Sequence, residues 1–225
     1  MAAAYKVLKN TARAGNAIIG AGVYSAVLQQ GEAHECKVIK IANTTFDPWL
    51  DYYNNIISSH LKNAHVPQVT KVYVDEENNY YVANMEELDK ECWDLYEDWD
   101  FDKYDFAVDI SNLIIGKMIQ SEFVETYEEF QDILFPSGIE EFFQLCDAIT
   151  DETDVMTSDD EYENCLDPRL VRKLDIHASN IMFRRGAVVI TDPWCNLDVD
   201  DHPSMDGYIE DVTDKHIIKN YQIDC

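Results

Sequence analysis

Residues 172–194 read RKLDIHASNIMFRRGAVVITDPW, and the rest of the chain takes its meaning from them. Ile181 to Phe183 and Val188 to Thr191 are short apolar, β-prone runs separated by Arg184-Arg185-Gly186, the pattern of a tight hairpin. In an antiparallel hairpin the residue opening the first strand lies across from the one closing the second. That rule sets Asn180 opposite Asp192, a carboxamide oxygen facing a carboxylate. Such a pair suits a hard cation such as Mg²⁺, which takes a few oxygen ligands and keeps water and substrate phosphates for the rest. Asp175 lies on the loop leading into the hairpin. A carboxylate beside a metal-bound phosphate can accept the proton of an attacking hydroxyl.

Upstream, residues 1–15 read as a frayed lead-in with a few apolar anchors. Ile18 to Leu28 (IIGAGVYSAVL) is a β-run broken by G-x-G. Gly20 and Gly22 let a hairpin tip bring backbone N–H groups near phosphate oxygens, with Tyr24 and Ser25 covering the tip. Alone, that motif is more often just a turn. Glu35 to Ala42 (ECKVIKIA) reads as a second strand, and its Lys40 is an odd choice in an apolar run unless it reaches a charge. An ammonium there can bridge the α- and β-phosphates of a nucleotide; a snorkelling edge-strand lysine is the plainer account of that residue by itself. Asp47-Pro48 opens a helix to about Ser59, Asp47 as N-cap and Pro48 in the first turn. That helix has no Glu to pair with Lys40; Asp51 is the nearest substitute, or else only a first-turn acid stabilising the helix dipole. Val72 to Val74 and Tyr80 to Met85 read as further strands around a turn at Asp75 to Asn79. Met85-Glu86-Glu87-Leu88 then suits a hinge whose backbone, at Glu86 and Leu88, hydrogen-bonds an adenine.

From Glu86 onward the chain becomes helical and acidic. Phe106 to Phe123 has helical spacing, with Val108, Leu113, Ile114, Met118 and Ile119 predicted to share one buried stripe. A second helix is predicted from Gly138 to Ile149, and Asp151 to Asp167 reads as an exposed acidic loop or helix start. In the whole chain 44 Asp and Glu face 17 Lys and Arg, a net charge of −27. Such a surface repels nucleic acid and anionic membrane and favours basic protein partners, although solubility alone explains it equally well. The six cysteines are scattered with no C-x-x-C, the usage of reduced thiols in a cytoplasm. Neither a signal-peptide core nor a membrane span is evident.

The ordered set GAGVYSAV, VIKIA, DIHASNIMF and VITDPW resembles the early serine/threonine protein kinases of T-seven-type lytic phages, members of the protein-kinase-like superfamily. The resemblance implies an α+β, two-lobed protein-kinase-like fold. Its β-rich N-lobe would cover residues 1–86, and a reduced, mainly helical C-lobe residues 87–225. It implies ATP and Mg²⁺ as cofactors, with Gly20 and Gly22 over the phosphates and Lys40 holding them. Asp175 would be the base, and Asn180 and Asp192 the metal ligands. His177 would hydrogen-bond the loop backbone or the Asp192 carboxylate. Family members phosphorylate host proteins of transcription and translation. The resemblance therefore implies basic or nucleic-acid-binding host partners, or defence machinery, met in the host cytoplasm.

Some of the chain departs from that pattern. Lys173-Leu174-Asp175 stands where H-R-D is usual, Asp192-Pro193-Trp194 stands for D-F-G, and no A-P-E follows. The 33 residues after Asp192 are too few for the peptide-binding half of a full C-lobe. Substrate choice is then expected to come from the acidic middle segment or the tail. Two other readings fit parts of the chain. D-x-H-x-x-N also occurs in small-molecule phosphotransferases of the same fold. A catalytically weak acidic decoy, imitating the DNA backbone, fits the charge but has no use for Lys40, Asp175, Asn180 and Asp192.

Overall fold

The computed structural model describes residues 3–22, 24–30, 37–92, 101–157 and 172–196, together with Met205 and Ile209. The chain forms two compact units, Met1–Asp47 with Gln68–Glu87 and Asp198–Cys225, and Pro48–Pro67 with Leu88–Leu197. The sequence suggested one boundary, at 86; the contacts instead assign segment 48–67 to the second unit and the C-terminal stretch to the first. The architecture is α+β, with a β-rich unit and a mainly helical one.

The first unit is a five-stranded antiparallel sheet of β1 (Ala17–Ala21), β2 (Ser25–Gln29), β3 (Lys37–Ala42), β4 (Val69–Asp75) and β5 (Tyr80–Glu86). Its strand order is β1-β2-β3-β5-β4. Alternation along the strands divides the side chains between two faces. Ile18, Ala26, Leu28 and Ile41 point to one face, where they pack against a helix, α1 (Ala3–Arg13), and against Met205 and Ile209. This corrects the frayed lead-in expected at residues 1–15. Ala4, Tyr5, Leu8 and Ala12 recur at helical spacing and are all buried. Burying Tyr5 and Leu8 contributes about 1.5–3 kcal/mol each, which holds the helix on the sheet.

The second unit opens with α2 (Pro48–Tyr52), which widens into a π-helical turn over Tyr53–Ile57. Beyond residue 100 come α3 (Lys103–Ile114), α4 (Gln120–Thr126), α5 (Gln131–Leu134) and α6 (Ile139–Thr157). The single helix expected over Phe106 to Phe123 is therefore two. Asp102 caps α3 by accepting from the Tyr104 and Asp105 N–H groups, and Gly116, at φ +70°, ends it. The predicted stripe holds only in part: Ile114 is buried, together with Phe106, Ala107 and Ile110, while Val108 and Ile119 are exposed. Aromatic packing decided the face, because Phe106 meets Phe101, Phe123 and Tyr127 and so turns Val108 outward. Helix α6 runs past the expected end at Ile149, so residues 151–157 of the acidic stretch are helical. Residues 158–167, and 93–100 of the earlier acidic run, lie outside the described residues.

Two small antiparallel pairs complete this unit: β6 (Arg172–Leu174) with β9 (Trp194–Asn196), and β7 (Ile181–Arg184) with β8 (Ala187–Ile190). The β7–β8 hairpin forms where the sequence predicts it, with Arg184 and Ala187 paired in the strands rather than Arg184 lying in the turn. Its two-residue loop has Arg185 at φ +51° and Gly186 at φ +90°, the paired positive values of a type I′ turn. A second seam flanks the hairpin. Ile190 N–H donates to the His65 carbonyl (3.0 Å), and Arg184 donates to the Ala64 and Val66 carbonyls at 2.6 and 2.7 Å. Among the described residues no helix is long and apolar enough to cross a membrane.

Candidate active site

Asp175, Asn180 and Asp192 are brought together by main-chain bonds. β6 pairs Leu174 with Trp194, and the next residue, Asp175, donates its N–H to the Pro193 carbonyl at 2.8 Å. The hairpin pairs Ile181 with Ile190, and Thr191 N–H donates to the Asn180 carbonyl at 2.9 Å. Asp192 is thus bracketed: the residue before it is tied to Asn180 and the residue after it to Asp175. The register differs by one from the sequence expectation. Asn180 lies across from Thr191 rather than Asp192, because the loop has two residues and the hairpin closes on the 184–187 pair. Convergence of the three residues comes from the β6–β9 pair as well as from the hairpin.

Side chains refine this frame. The Asn180 carboxamide nitrogen donates to the Asp175 carbonyl (2.7 Å) and lies 3.0 Å from His177 Nε2. With its nitrogen committed to two acceptors, Asn180 has Oδ1 to offer a cation. The Thr191 hydroxyl donates to the Asn180 carbonyl at 3.0 Å. The loop backbone or the Asp192 carboxylate was expected as the partner of His177; its ring instead meets side chains of the loop. Its Nδ1 is 2.7 Å from Ser179 Oγ, and its Nε2 is 3.6 Å from Asp175 Oδ2. The carboxylates also mark their surroundings. Burial and then the Asp175 charge push the Cys195 thiol above its usual range, with Asp192 adding to the effect. Burial and then Asp192 push the Tyr52 phenol well up, and its hydroxyl donates to the Ile190 carbonyl at 3.0 Å.

This donor set fits Mg²⁺. Among the described residues no group of three or more His, Cys, Asp and Glu side chains is gathered to hold a metal ion. A carboxamide oxygen and a carboxylate are instead the one or two protein ligands that Mg²⁺ accepts when phosphates and water complete its shell.

The first unit carries the lysine. Lys40 is buried in β3, in register with Val27 on one side and Ala83 on the other. It points away from the α1 face, since its neighbour Ile41 belongs to that core. Its Nζ is 3.6 Å from Asp47 Oδ2, with both side chains under a tenth exposed. The Tyr81 hydroxyl donates to the same carboxylate oxygen at 2.6 Å. Asp47 therefore holds the place for which the sequence suggested Asp51. Asp51 pairs instead with Arg172 at 3.0 Å, whose guanidinium lies over the Trp194 ring. Sequence reasoning missed the Asp47–Tyr81 partnership because Asp-Pro reads so readily as a helix cap.

Gly20 aligns with Val27 and through it with Lys40, two strands away and roughly 10 Å distant at the usual strand spacing. Neither Gly20 nor Gly22 has a positive φ. A Cβ on Gly22 would meet no protein atom within 4 Å, and one on Gly20 only Val27 Cβ at 3.8 Å. Packing among the described residues thus does not demand glycine at either position. Glu86 ends β5 with its N–H donating to the Gln68 carbonyl and its carboxylate accepting from the Gln68 N–H. Leu88 begins the second unit, half-buried, one residue before the bridge between Asp89 and Phe183.

No family model and no curated protein matches the chain. Among solved structures, it is similar to the streptomycin–ATP–APH(2")-IIa ternary complex, with 15% identity and a TM-score of 0.34. That match covers 87% of this chain and 72% of the other.

Proposed function

We propose that the chain transfers the γ-phosphoryl group of ATP to a hydroxyl group, with Asp175 as base, Lys40 as phosphate clamp and Asn180 and Asp192 as the Mg²⁺ ligands. The carrying observation is the pair of main-chain ties that bracket Asp192 between Asn180 and Asp175. An acid on one side of a cation-binding amide and carboxylate is the minimal equipment for phosphoryl transfer, where positioning and charge neutralisation do most of the work. As the acceptor oxygen bonds to the γ-phosphorus, its proton passes to Asp175 and the bridging bond to the β-phosphate breaks, releasing ADP. Bound Mg²⁺ supplies charge neutralisation on the phosphates. Lys40, held by Asp47, presents an ammonium to them, and the uncrowded glycine backbone at 20 and 22 admits them closely.

The acceptor in this reading is a serine or threonine of a host protein, as in the phage kinases that the motifs resemble, and the encounter takes place in the host cytoplasm. The net charge of −27 supports a basic or nucleic-acid-binding partner from the transcription, translation or defence machinery. The same charge favours one second reading, an acidic decoy that binds such a protein without modifying it. The test is incubation of the pure protein with labelled ATP, Mg²⁺ and host lysate, with Asp175→Asn as control. Label in a discrete host protein, lost in the control, is the expected result. Label only in added small-molecule alcohols replaces the protein acceptor with a small molecule. No label anywhere, with a host protein retained on the chain, favours the decoy.

A further inference from the structure

The catalytic loop contains one histidine whose ring nitrogens both have close neighbours, and no chemical step of phosphoryl transfer needs it. Its Nδ1 is 2.7 Å from Ser179 Oγ, and its Nε2 is 3.0 Å from the Asn180 carboxamide nitrogen. A carboxamide nitrogen carries hydrogens and no available lone pair, so toward Asn180 it is Nε2 that accepts, against the pull of Asp175 Oδ2, which lies 3.6 Å from Nε2 and favours a proton there. A neutral ring then carries its proton on Nδ1 and donates it to Ser179 Oγ. The Asn180 amide is consequently held from two sides, by the Asp175 carbonyl and by His177 Nε2, both of them acceptors. An amide rotated by half a turn would set its oxygen against two acceptors at once. Its only comfortable orientation keeps Oδ1 turned away from both.

We propose that His177 is a positioning residue: with Ser179 fixing its tautomer, it locks the Asn180 carboxamide so that Oδ1 is the atom presented to a divalent cation. The proposal rests on the phosphotransfer reading for the cation but not for the hydrogen bonds, which belong to the metal-free protein. Groups that orient metal ligands in this way change metal affinity by about 10–100-fold when removed. They do so without touching substrate. Ser179 is exposed and acts only through the ring.

Two measurements test it. In metal-free protein with labelled histidine, long-range proton–nitrogen spectra near pH 7.5 report which nitrogen of His177 is protonated. The expected pattern is Nδ1 protonated and Nε2 bare, shifting toward the Nε2–H form in Ser179→Ala. In the second measurement Mg²⁺ is titrated against the thermal stabilisation given by a non-hydrolysable ATP analogue. His177→Ala should raise the Mg²⁺ midpoint by about 10-fold or more, with the plateau at saturating Mg²⁺ preserved. His177→Gln, whose side-chain oxygen can still accept from Asn180, should recover part of the loss. An Nε2–H ring in the wild-type protein, or an unchanged midpoint in His177→Ala, overturns the proposal. Wild-type protein showing the expected tautomer but equal stabilisation with and without Mg²⁺ overturns the assignment of the cation, and the phosphotransfer reading with it.

Discussion

Asp175 and Asn180 are set in place by main-chain bonds to the residues on either side of Asp192, whereas Lys40 is set by side chains, Asp47 and Tyr81, on the sheet face opposite α1. The difference has consequences for mutation. Where the backbone does the positioning, a side chain can be exchanged for its chemistry alone and its neighbours stay put. Where side chains do the positioning, removing one leaves another stranded. A buried ammonium without its carboxylate cannot be rehydrated in place, so the chain must deprotonate it, move it or lose stability.

The sharpest test on the backbone-held side is Asp175→Asn. The exchange keeps the N–H bond to Pro193 and the shape of the side chain, which is 41% exposed. Phosphotransfer should fall by about 10²–10⁴-fold, the usual effect of removing a positioned base, while the melting temperature stays within a degree or two of wild type. A large loss of stability would break the claim that the main chain holds this half.

Asp47→Ala tests the other half. Lys40 and Asp47 are both deeply buried, so truncating one partner should cost about 3–5 kcal/mol in denaturant unfolding. The double variant Lys40→Met with Asp47→Ala should regain a large share of that, because no charge is left buried alone. If the double variant is as unstable as Asp47→Ala, the Tyr81 hydrogen bond rather than the ion pair is the part that matters. Asp51→Ala, whose partner is Arg172, should leave Lys40 untouched.

The sequence made the hairpin legible because β-prone runs flank an Arg-Gly turn, and both the turn and the strand limits are local chemistry. It also carried most of the sheet, since its β-prone runs are set off by turn residues at Gly20 to Gly22 and Asp75 to Asn79. The partner of Lys40 was not legible. Asp47 and Asp51 are both acids beside the first turn of one helix, and only the three-dimensional course of the chain gives the first to Lys40 and the second to Arg172. Helix α1 escaped notice because Lys6, Lys9 and Asn10 dilute its apolar face, which becomes obvious only with the sheet beneath it. The exposed face of α3 was misread for the same reason. Periodicity indicates that a stripe exists, but the phenylalanines at 101, 106 and 123 determine which one is buried.

Gly186→Ala probes how much of the backbone-held half depends on the turn itself. Gly186 has φ +90°, and an added Cβ would come within 2.9 Å of Ile133 Cγ2. Strain in this region costs about 1–3 kcal/mol per residue, and the contact adds to it. The loss should appear as faster unfolding together with weaker Mg²⁺-dependent nucleotide stabilisation, because the hairpin carries Asn180 to Thr191. Undiminished stability would mean the turn can adopt another type without moving the site.

The smallest expected effect concerns the seam between the 63–66 loop and β8, where a buried ring supports the backbone-held half. His65 is fully buried, its Nδ1 donates to the Val188 carbonyl at 2.7 Å, and its ring lies against Phe135 and Phe142. Among the described residues Nε2 has no hydrogen-bond partner, so a second proton there would be buried unsatisfied. Burial accordingly lowers the pKa of His65, outweighing the Val188 bond and the Glu141 charge that favour protonation. A histidine whose folded pKa lies below its unfolded value binds more protons when unfolded. Its contribution to stability is therefore present in full above about pH 6.5 and is lost as pH falls from there toward the folded pKa. One proton sets the ceiling, about 1.4 kcal/mol per pH unit. Unfolding free energies measured between pH 7.5 and 5 should fall more steeply for wild type than for His65→Gln, even though the variant starts out less stable. Parallel curves would mean that His65 takes up its proton without opening the seam, and that the hairpin edge is held by Arg184 and the main chain alone.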